Sequence, residues 1–115
     1  MKIERFDARC PGGEAFIRRA ARLAGFDGTV KIYAKPREEM KGYLTWGQFN
    51  PPDTISLYGR SPDYVGVFLH ELGHADRYRR VKYGPVANFR DRGMYNTDPE
   101  ERAAERFAKK LRRLL

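Results

Sequence analysis

The amino-acid sequence contains one cysteine, Cys10, and two histidines among its 115 residues. A single cysteine excludes an intramolecular disulfide framework and any metal site built from cysteines alone. No apolar run approaches the roughly 18 residues of a membrane-spanning helix. The N-terminal residues are charged where a signal peptide requires an apolar stretch. We therefore expect a cytoplasmic protein that does not associate with a membrane.

Positive charge, by contrast, is abundant. The chain has 23 Lys and Arg against 15 Asp and Glu, which gives a formal net charge of +8. Its length fits one domain, residues 1–115, and we expect a monomer. A basic surface can attract nucleic acid or acidic peptides. A basic DNA-binding or protein-binding module is therefore one functional interpretation of this sequence.

Three helices are predicted from apolar spacing and from capping residues. The first spans 14–24, with arginines opposite its apolar residues and with Gly25 as its stop signal. The second begins after Ser61, which is an N-cap residue followed by a proline in the first turn, and it runs to about Tyr83. The third begins at Asp98 and extends to the end of the sequence.

Three strands are predicted between the first two helices. Apolar and polar residues alternate over 30–34, and the runs 43–49 and 54–58 are also typical of strands. The turn-forming residues Asn50-Pro51-Pro52-Asp53 join the last two runs into a hairpin. The fold class is therefore α+β. We expect a small, mostly antiparallel sheet of about three strands, with an N-terminal, a central and a C-terminal helix packed on it.

Both histidines belong to the pattern His70-Glu71-Leu72-Gly73-His74, which lies in the predicted central helix. Residues four apart share one face of a helix, so both imidazoles can bind the same metal ion. Zn²⁺ accepts imidazole nitrogen and keeps an open position for a water, whose proton Glu71 could accept. The apolar residues of this helix are predicted on its opposite side: Val65, Phe68, Leu69, Leu72 and Ala75.

A third protein ligand cannot be a histidine, because none remains. The carboxylates Glu100, Glu101 and Glu105 of the last helix are the candidates. Glu101 also has a second interpretation, because Asp98 and Glu101 have the spacing of a capping box, in which the glutamate bonds to the cap amide. The residues alone leave these alternatives open.

The order H-E-L-G-H and then P-E-E-R-A-A-E-R-F-A, about two dozen residues later, resembles the gluzincin zinc peptidases, especially the single-domain minigluzincins. The resemblance covers residues 54–108 well and residues 1–53 only in element order. It implies zinc-dependent hydrolysis of a peptide or protein substrate, with Glu71 as the general base. It also implies Glu101 as the third zinc ligand and Glu105 as the group that orients a histidine, where the family has Asp or Asn. Glu100, about 100° around the helix from Glu101, is expected to face solvent.

The resemblance implies three further features. The strand that precedes the one leading into the central helix would hold substrate as an added strand, through Thr45, Trp46, Gly47, Gln48 and Phe49. An oxyanion donor is expected, with Tyr95 as the candidate and Tyr78 and Tyr83 as alternatives. Small members are often latent, and Arg9-Cys10-Pro11-Gly12 resembles the cysteine-switch segment of matrix metalloproteases.

Two other functional interpretations compete with the peptidase. Peptide deformylases combine H-E-x-x-H with a cysteine ligand, but the residues around Cys10 differ from the E-G-C-L-S context expected there. The basic DNA-binding or protein-binding module would carry a structural or silenced zinc site.

Overall fold

The computed structural model describes residues 1–7, 13–35, 37–40, 43–58, 64–81 and 99–115. Its elements in chain order are β1 (Lys2–Arg5), α1 (Glu14–Ala24), β2 (Thr29–Tyr33), β3 (Arg37–Met40), β4 (Tyr43–Thr45), β5 (Gly47–Asn50), β6 (Thr54–Tyr58), α2 (Tyr64–Val81) and α3 (Pro99–Leu114). No helix in these ranges is long and apolar enough to cross a membrane.

The main sheet has four strands in the order β1-β2-β6-β5, and it is mixed. β1 pairs with β2 and β2 pairs with β6 in parallel, whereas β5 and β6 form the predicted antiparallel hairpin. The expectation of a mostly antiparallel sheet of about three strands is therefore wrong. β1 was missed because its four residues, Lys-Ile-Glu-Arg, are too few and too polar to show strand alternation.

The run 43–49, predicted as one strand, is divided at Trp46. The residues before it form β4, which pairs with β3 in a separate two-stranded sheet. The residues after it form β5, an edge strand of the main sheet. The Trp46 carbonyl accepts a hydrogen bond of 2.8 Å from the Tyr58 amide at this bend.

The hydrophobic core lies between one face of the main sheet and the helices. Val30 is in register with Ile55 and Ile32 with Leu57, so the four side chains point to the same face. The buried helical residues that meet them are Ile17, Ala20, Ala21, Ala24, Phe68, Leu69 and Leu72. Val65, which was predicted on the packed face of its helix, is exposed instead, and Leu23 is exposed as well. Leu23 lies at the edge of the apolar stripe of α1, and Val65 lies in the first turn of α2.

Arg79 connects the C-terminal part of α2 to the end of α1. Its guanidinium donates hydrogen bonds to the carbonyls of Gly25 and Ala24, and it pairs with Asp76 at 3.0 Å. The last carbonyls of a helix have no partner within the helix, so a side chain from another element can satisfy them. Gly25 ends α1 with the left-handed φ of 71° that favours glycine at this position.

α3 packs against α2, and Gly73 determines how closely. A Cβ atom added at Gly73 would lie 2.7 Å from the Ala104 carbonyl oxygen and 2.8 Å from the Ala104 Cα. The two helix backbones are therefore in direct contact at this point. His70 and His74 are buried against Glu101 of α3, and α2 therefore has buried residues on opposite faces.

Gly73→Ala should separate the two helices and destabilise the protein. Overpacking costs about 1–3 kcal/mol, and contact with a backbone cannot be relieved by a rotamer change. Alanine recovers about 1 kcal/mol of helix propensity, so we expect a net loss of about 1–2 kcal/mol in the free energy of unfolding. Denaturant unfolding of metal-free protein measures it, with Val65→Ala as the control at an exposed site of the same helix. Equal stability of Gly73→Ala and the parent would contradict the close contact.

Candidate metal centre

Two imidazoles and one carboxylate converge between α2 and α3. His70 and His74 lie one turn apart on α2, and their Nε2 atoms are 3.1 Å apart. Glu101, in the first turn of α3, places Oε2 2.7 Å from His70 Nε2 and Oε1 3.1 Å from His74 Nε2. The three residues are buried, and their candidate ligand atoms all lie within 4.8 Å of one another. This group could hold a metal ion.

The chemistry of the group fits a divalent cation. Each imidazole can donate Nε2–H to a different oxygen of Glu101. The two N–H donors would then repel each other, because their nitrogens are only 3.1 Å apart. A cation between them would accept all three lone pairs. Two imidazoles and a carboxylate are ligands typical of Zn²⁺ sites that retain an open coordination position.

Glu105 contacts the other side of the His70 ring. Its Oε1 lies 2.5 Å from His70 Nδ1, one helical turn after Glu101. A proton held on Nδ1 by this carboxylate leaves the Nε2 lone pair of a neutral ring free to bind a metal. The side chain is partly exposed, yet it fixes the orientation of a buried imidazole.

Glu101 has both carboxylate oxygens directed at histidines. This is the arrangement that a metal ligand needs. Asp98, the cap residue of the capping-box alternative for Glu101, lies outside the described residues.

The sequence predicted that Glu100 faces solvent, but in the structure its carboxylate has a partner on α2. It accepts a hydrogen bond of 3.2 Å from Arg77 Nε across the interface between the two helices. The Arg77–Glu100 pair lies next to Glu101 and joins α3 to α2 at this end. Local sequence carries no signal for this pair, because its members are 23 residues apart.

The pKa values of His70 and Glu101 are set by burial and by the hydrogen bonds and charges between these groups. Burial lowers the pKa of the His70 imidazole, whereas its hydrogen bond to Glu101 raises it. The negative charges of Glu71, Glu101 and Glu105 add to this, so the His70 pKa is raised above its ordinary value. Burial raises the pKa of Glu101, but hydrogen bonds from the two histidines hold it well below its usual range. A cation that binds here replaces the His70 proton, so its affinity should fall as pH falls.

Glu71 lies between α2 and the edge strand β5. A Cβ atom added at Gly47 would be 3.3 Å from Glu71 Cγ, 3.5 Å from Glu71 Oε2 and 2.4 Å from a methyl group of Val67. Only glycine therefore permits this approach of β5 to the helix. The sequence did not indicate this requirement, although it placed Gly47 in the same site.

The structure separates the other predicted site residues. Of the five residues predicted to bind substrate, only Gly47, Gln48 and Phe49 lie on the edge strand. Thr45 pairs with Arg37 in the other sheet, and its side chain is buried with no hydrogen-bond partner for Oγ1 among the described residues. Trp46 lies at the bend between them.

The tyrosine candidates for the oxyanion donor are mostly outside the described residues, which include neither Tyr95 nor Tyr83. Tyr78 packs its ring against Phe49, with 5.7 Å between the ring centroids. Cys10 also lies outside the described residues.

Three Glu→Gln substitutions on α3 distinguish a metal ligand from the glutamates next to it. Glu101→Gln should weaken zinc binding by well over the roughly 10–100-fold typical of changes around a ligand, because it removes a metal-binding carboxylate. Glu105→Gln should weaken it by about 10–100-fold, since it loosens His70. Glu100→Gln, which removes a partly exposed ion pair, should leave zinc affinity nearly unchanged. Competitive chelator titration measures all three, and parental affinity in Glu101→Gln would exclude it as a ligand.

Known proteins supply no family assignment for this chain. It matches no protein-family model, no curated protein and no solved structure. The function must therefore be inferred from the buried His70-His74-Glu101 group and the residues around it.

Proposed function

We propose that this protein is a zinc-dependent endopeptidase of the gluzincin type. The observation that carries the proposal is the buried His70-His74-Glu101 group, with Glu71 beside it and an edge strand against that carboxylate. Zn²⁺ bound by these three residues would supply a Lewis acid that polarises a substrate carbonyl and acidifies a water.

Glu71 is the proposed general base. It follows His70 directly, so its side chain is rotated by about 100° around the helix and is not one of the three converging ligand residues. Its negative charge acts on His70, which supports a role for Glu71 as the group that would accept a proton from a water at the open position. It would then deliver that proton to the leaving amine.

β5 is the proposed substrate-binding strand. Among the described strands it is at one edge of the main sheet, paired only with β6. A peptide can add to such an edge through backbone hydrogen bonds. Because Gly47 brings β5 against the Glu71 carboxylate, a peptide held on this edge would pass close to the proposed base.

The donor set favours hydrolysis over the competing interpretations. Structural zinc sites are normally closed by four protein ligands, whereas the described residues supply a group of three. A carboxylate, Glu101, occupies the place that a cysteine takes in peptide deformylases. Latency remains a prediction, and the peptidase test must therefore include the Cys10→Ser background.

Glu71→Gln should abolish hydrolysis without releasing zinc. Removal of the base should lower kcat by about 100-fold or more, while zinc stoichiometry stays at the parental value because Glu71 is not a ligand. The measurements are metal content and cleavage of a fluorogenic peptide library, each made in the parent and in Cys10→Ser. Glu100→Gln is the matched control and should cleave normally. If Glu71→Gln cleaves as fast as the parent, the proposed mechanism is wrong.

Gly47→Ala should lower kcat/KM by about 10–100-fold, because its Cβ moves the substrate-binding edge away from Glu71. The principal clash is with a methyl group of Val67. The double variant Gly47→Ala/Val67→Ala removes that methyl group and should recover most of the activity. Steady-state kinetics of the two variants and of Val67→Ala alone test this. A double variant as impaired as Gly47→Ala would show that the spacing between β5 and α2 is not what matters.

A further inference from the structure

A second concave surface lies on the side of α3 that faces away from the candidate metal centre. It is a groove of about 500 Å³ between the end of α1, the C-terminal half of α2 and α3. At about 100° per residue, Lys110 in this groove is about 180° around α3 from Glu101. The groove is therefore separate from the proposed active site.

Part of the groove lining is apolar. We call its four large apolar residues the floor: Leu23, Phe107, Leu111 and Leu114. Leu23 is 46% exposed and Leu114 is 58% exposed, and Phe107 is partly buried. Large apolar side chains that are grouped and exposed in this way mark interaction surfaces, because covering them removes apolar area from water.

The charged part of the lining is mostly basic. We call these residues the rim: Arg77, Arg80, Arg106 and Lys110, with one acidic residue, Asp76. Asp76 is already held by Arg80 at 3.0 Å and by Arg79. Within the described part of the chain, Arg106 and Lys110 have no acidic partner.

The positive charge extends beyond the groove along the same helix. From Arg106 onward, α3 carries five basic residues and no acidic residue. A partner with negative charge would therefore meet a favourable potential along the whole C-terminal half of α3.

We propose that this groove docks an acidic amphipathic helix of a partner protein. The helix would place apolar side chains on the floor and Asp or Glu side chains against Arg106 and Lys110. A volume of about 500 Å³ is within the range that can enclose apolar groups of a ligand. Amphipathic helices bind such grooves through side chains at i, i+3, i+4 and i+7.

The apolar floor favours a peptide over nucleic acid. Phosphates would contact the basic residues of the rim. They would bury none of the leucine and phenylalanine surface of the floor. Two of the four rim cations are also partly neutralised by ion pairs, Arg77 with Glu100 and Arg80 with Asp76. A ligand that used charge alone would therefore use this surface poorly.

The test uses a fluorescein-labelled peptide of about 18 residues, with leucine at the i, i+3, i+4 and i+7 positions and glutamate elsewhere. Its binding to the full chain is followed by fluorescence anisotropy at physiological salt, where attraction between distant charges is screened. A scrambled peptide of the same composition and a DNA oligonucleotide of about 20 nucleotides serve as comparisons.

Two pairs of variants locate the binding surface. Lys110→Glu and Leu114→Ser change the groove at exposed positions of α3, so that the core stays intact. Lys35→Glu and Val65→Ser make the same changes at exposed positions outside it. We expect each groove variant to weaken the peptide by at least about tenfold and each control by less than about twofold.

The outcomes separate this proposal from the peptidase proposal. Glu71→Gln should abolish hydrolysis and leave peptide binding unchanged, because Glu71 does not line the groove. Equal weakening by Lys110→Glu and Lys35→Glu would reduce the interaction to general charge attraction and overturn the docking site. Equal binding of the scrambled peptide would overturn the helical partner. DNA binding tighter than that of the peptide and lost in Lys110→Glu would assign the surface to nucleic acid instead.

Discussion

The contact between Gly73 and Ala104 determines whether the candidate metal centre can form. The two helix backbones touch there because Gly73 has no side chain. Ala104 is three residues after Glu101 and one before Glu105, so the same contact brings both carboxylates to His70. The glycine within H-E-L-G-H thus has a packing role that complements the chemistry of its neighbours. The H-E-L-G-H pattern places the two histidines on α2, and the close packing of α3 adds the Glu101 carboxylate to them.

Two surfaces on opposite sides of α3 follow from its charge distribution. Its first two turns carry Glu100, Glu101 and Glu105, and acidic groups near a helix N-terminus are stabilised by the helix dipole. Five of its six basic residues follow Glu105, and Arg112 and Arg113 in the last turn interact favourably with the C-terminal end. This distribution of charge stabilises the helix. It also places carboxylates near the candidate metal centre and positive charge at the groove proposed to bind an acidic partner. A positive net charge is compatible with a cation site because the local charge around His70 is negative.

Local patterns predicted the parts of this protein whose determinants are close in sequence. α1, the strand beginning near Val30 and the β5–β6 hairpin have such signals in their spacing and turn residues. His70, Glu71 and His74 lie within one helix, so their spacing alone places them together. The parallel pairing of β1 was not predictable, because Ile3 meets Val30 only after α1 has crossed between them. Glu101 likewise depends on helix docking, and it was assigned from a resemblance; the ion pair of Glu100 with Arg77 had no signal at all.

The apolar residues of α3 have a consequence for how a cation would enter and leave. Its fully buried apolar residues are Ala104, Ala108 and Leu111, of which only one is large, whereas α2 buries Phe68, Leu69 and Leu72. Apolar burial stabilises roughly in proportion to area, so detaching α3 costs less than opening the sheet and α2. Local unfolding would thus begin at α3 and remove Glu101 while His70 and His74 stay on a folded helix. A cation held by Glu101 and the two histidines would then stabilise the docked position of α3, and undocking of α3 would release it.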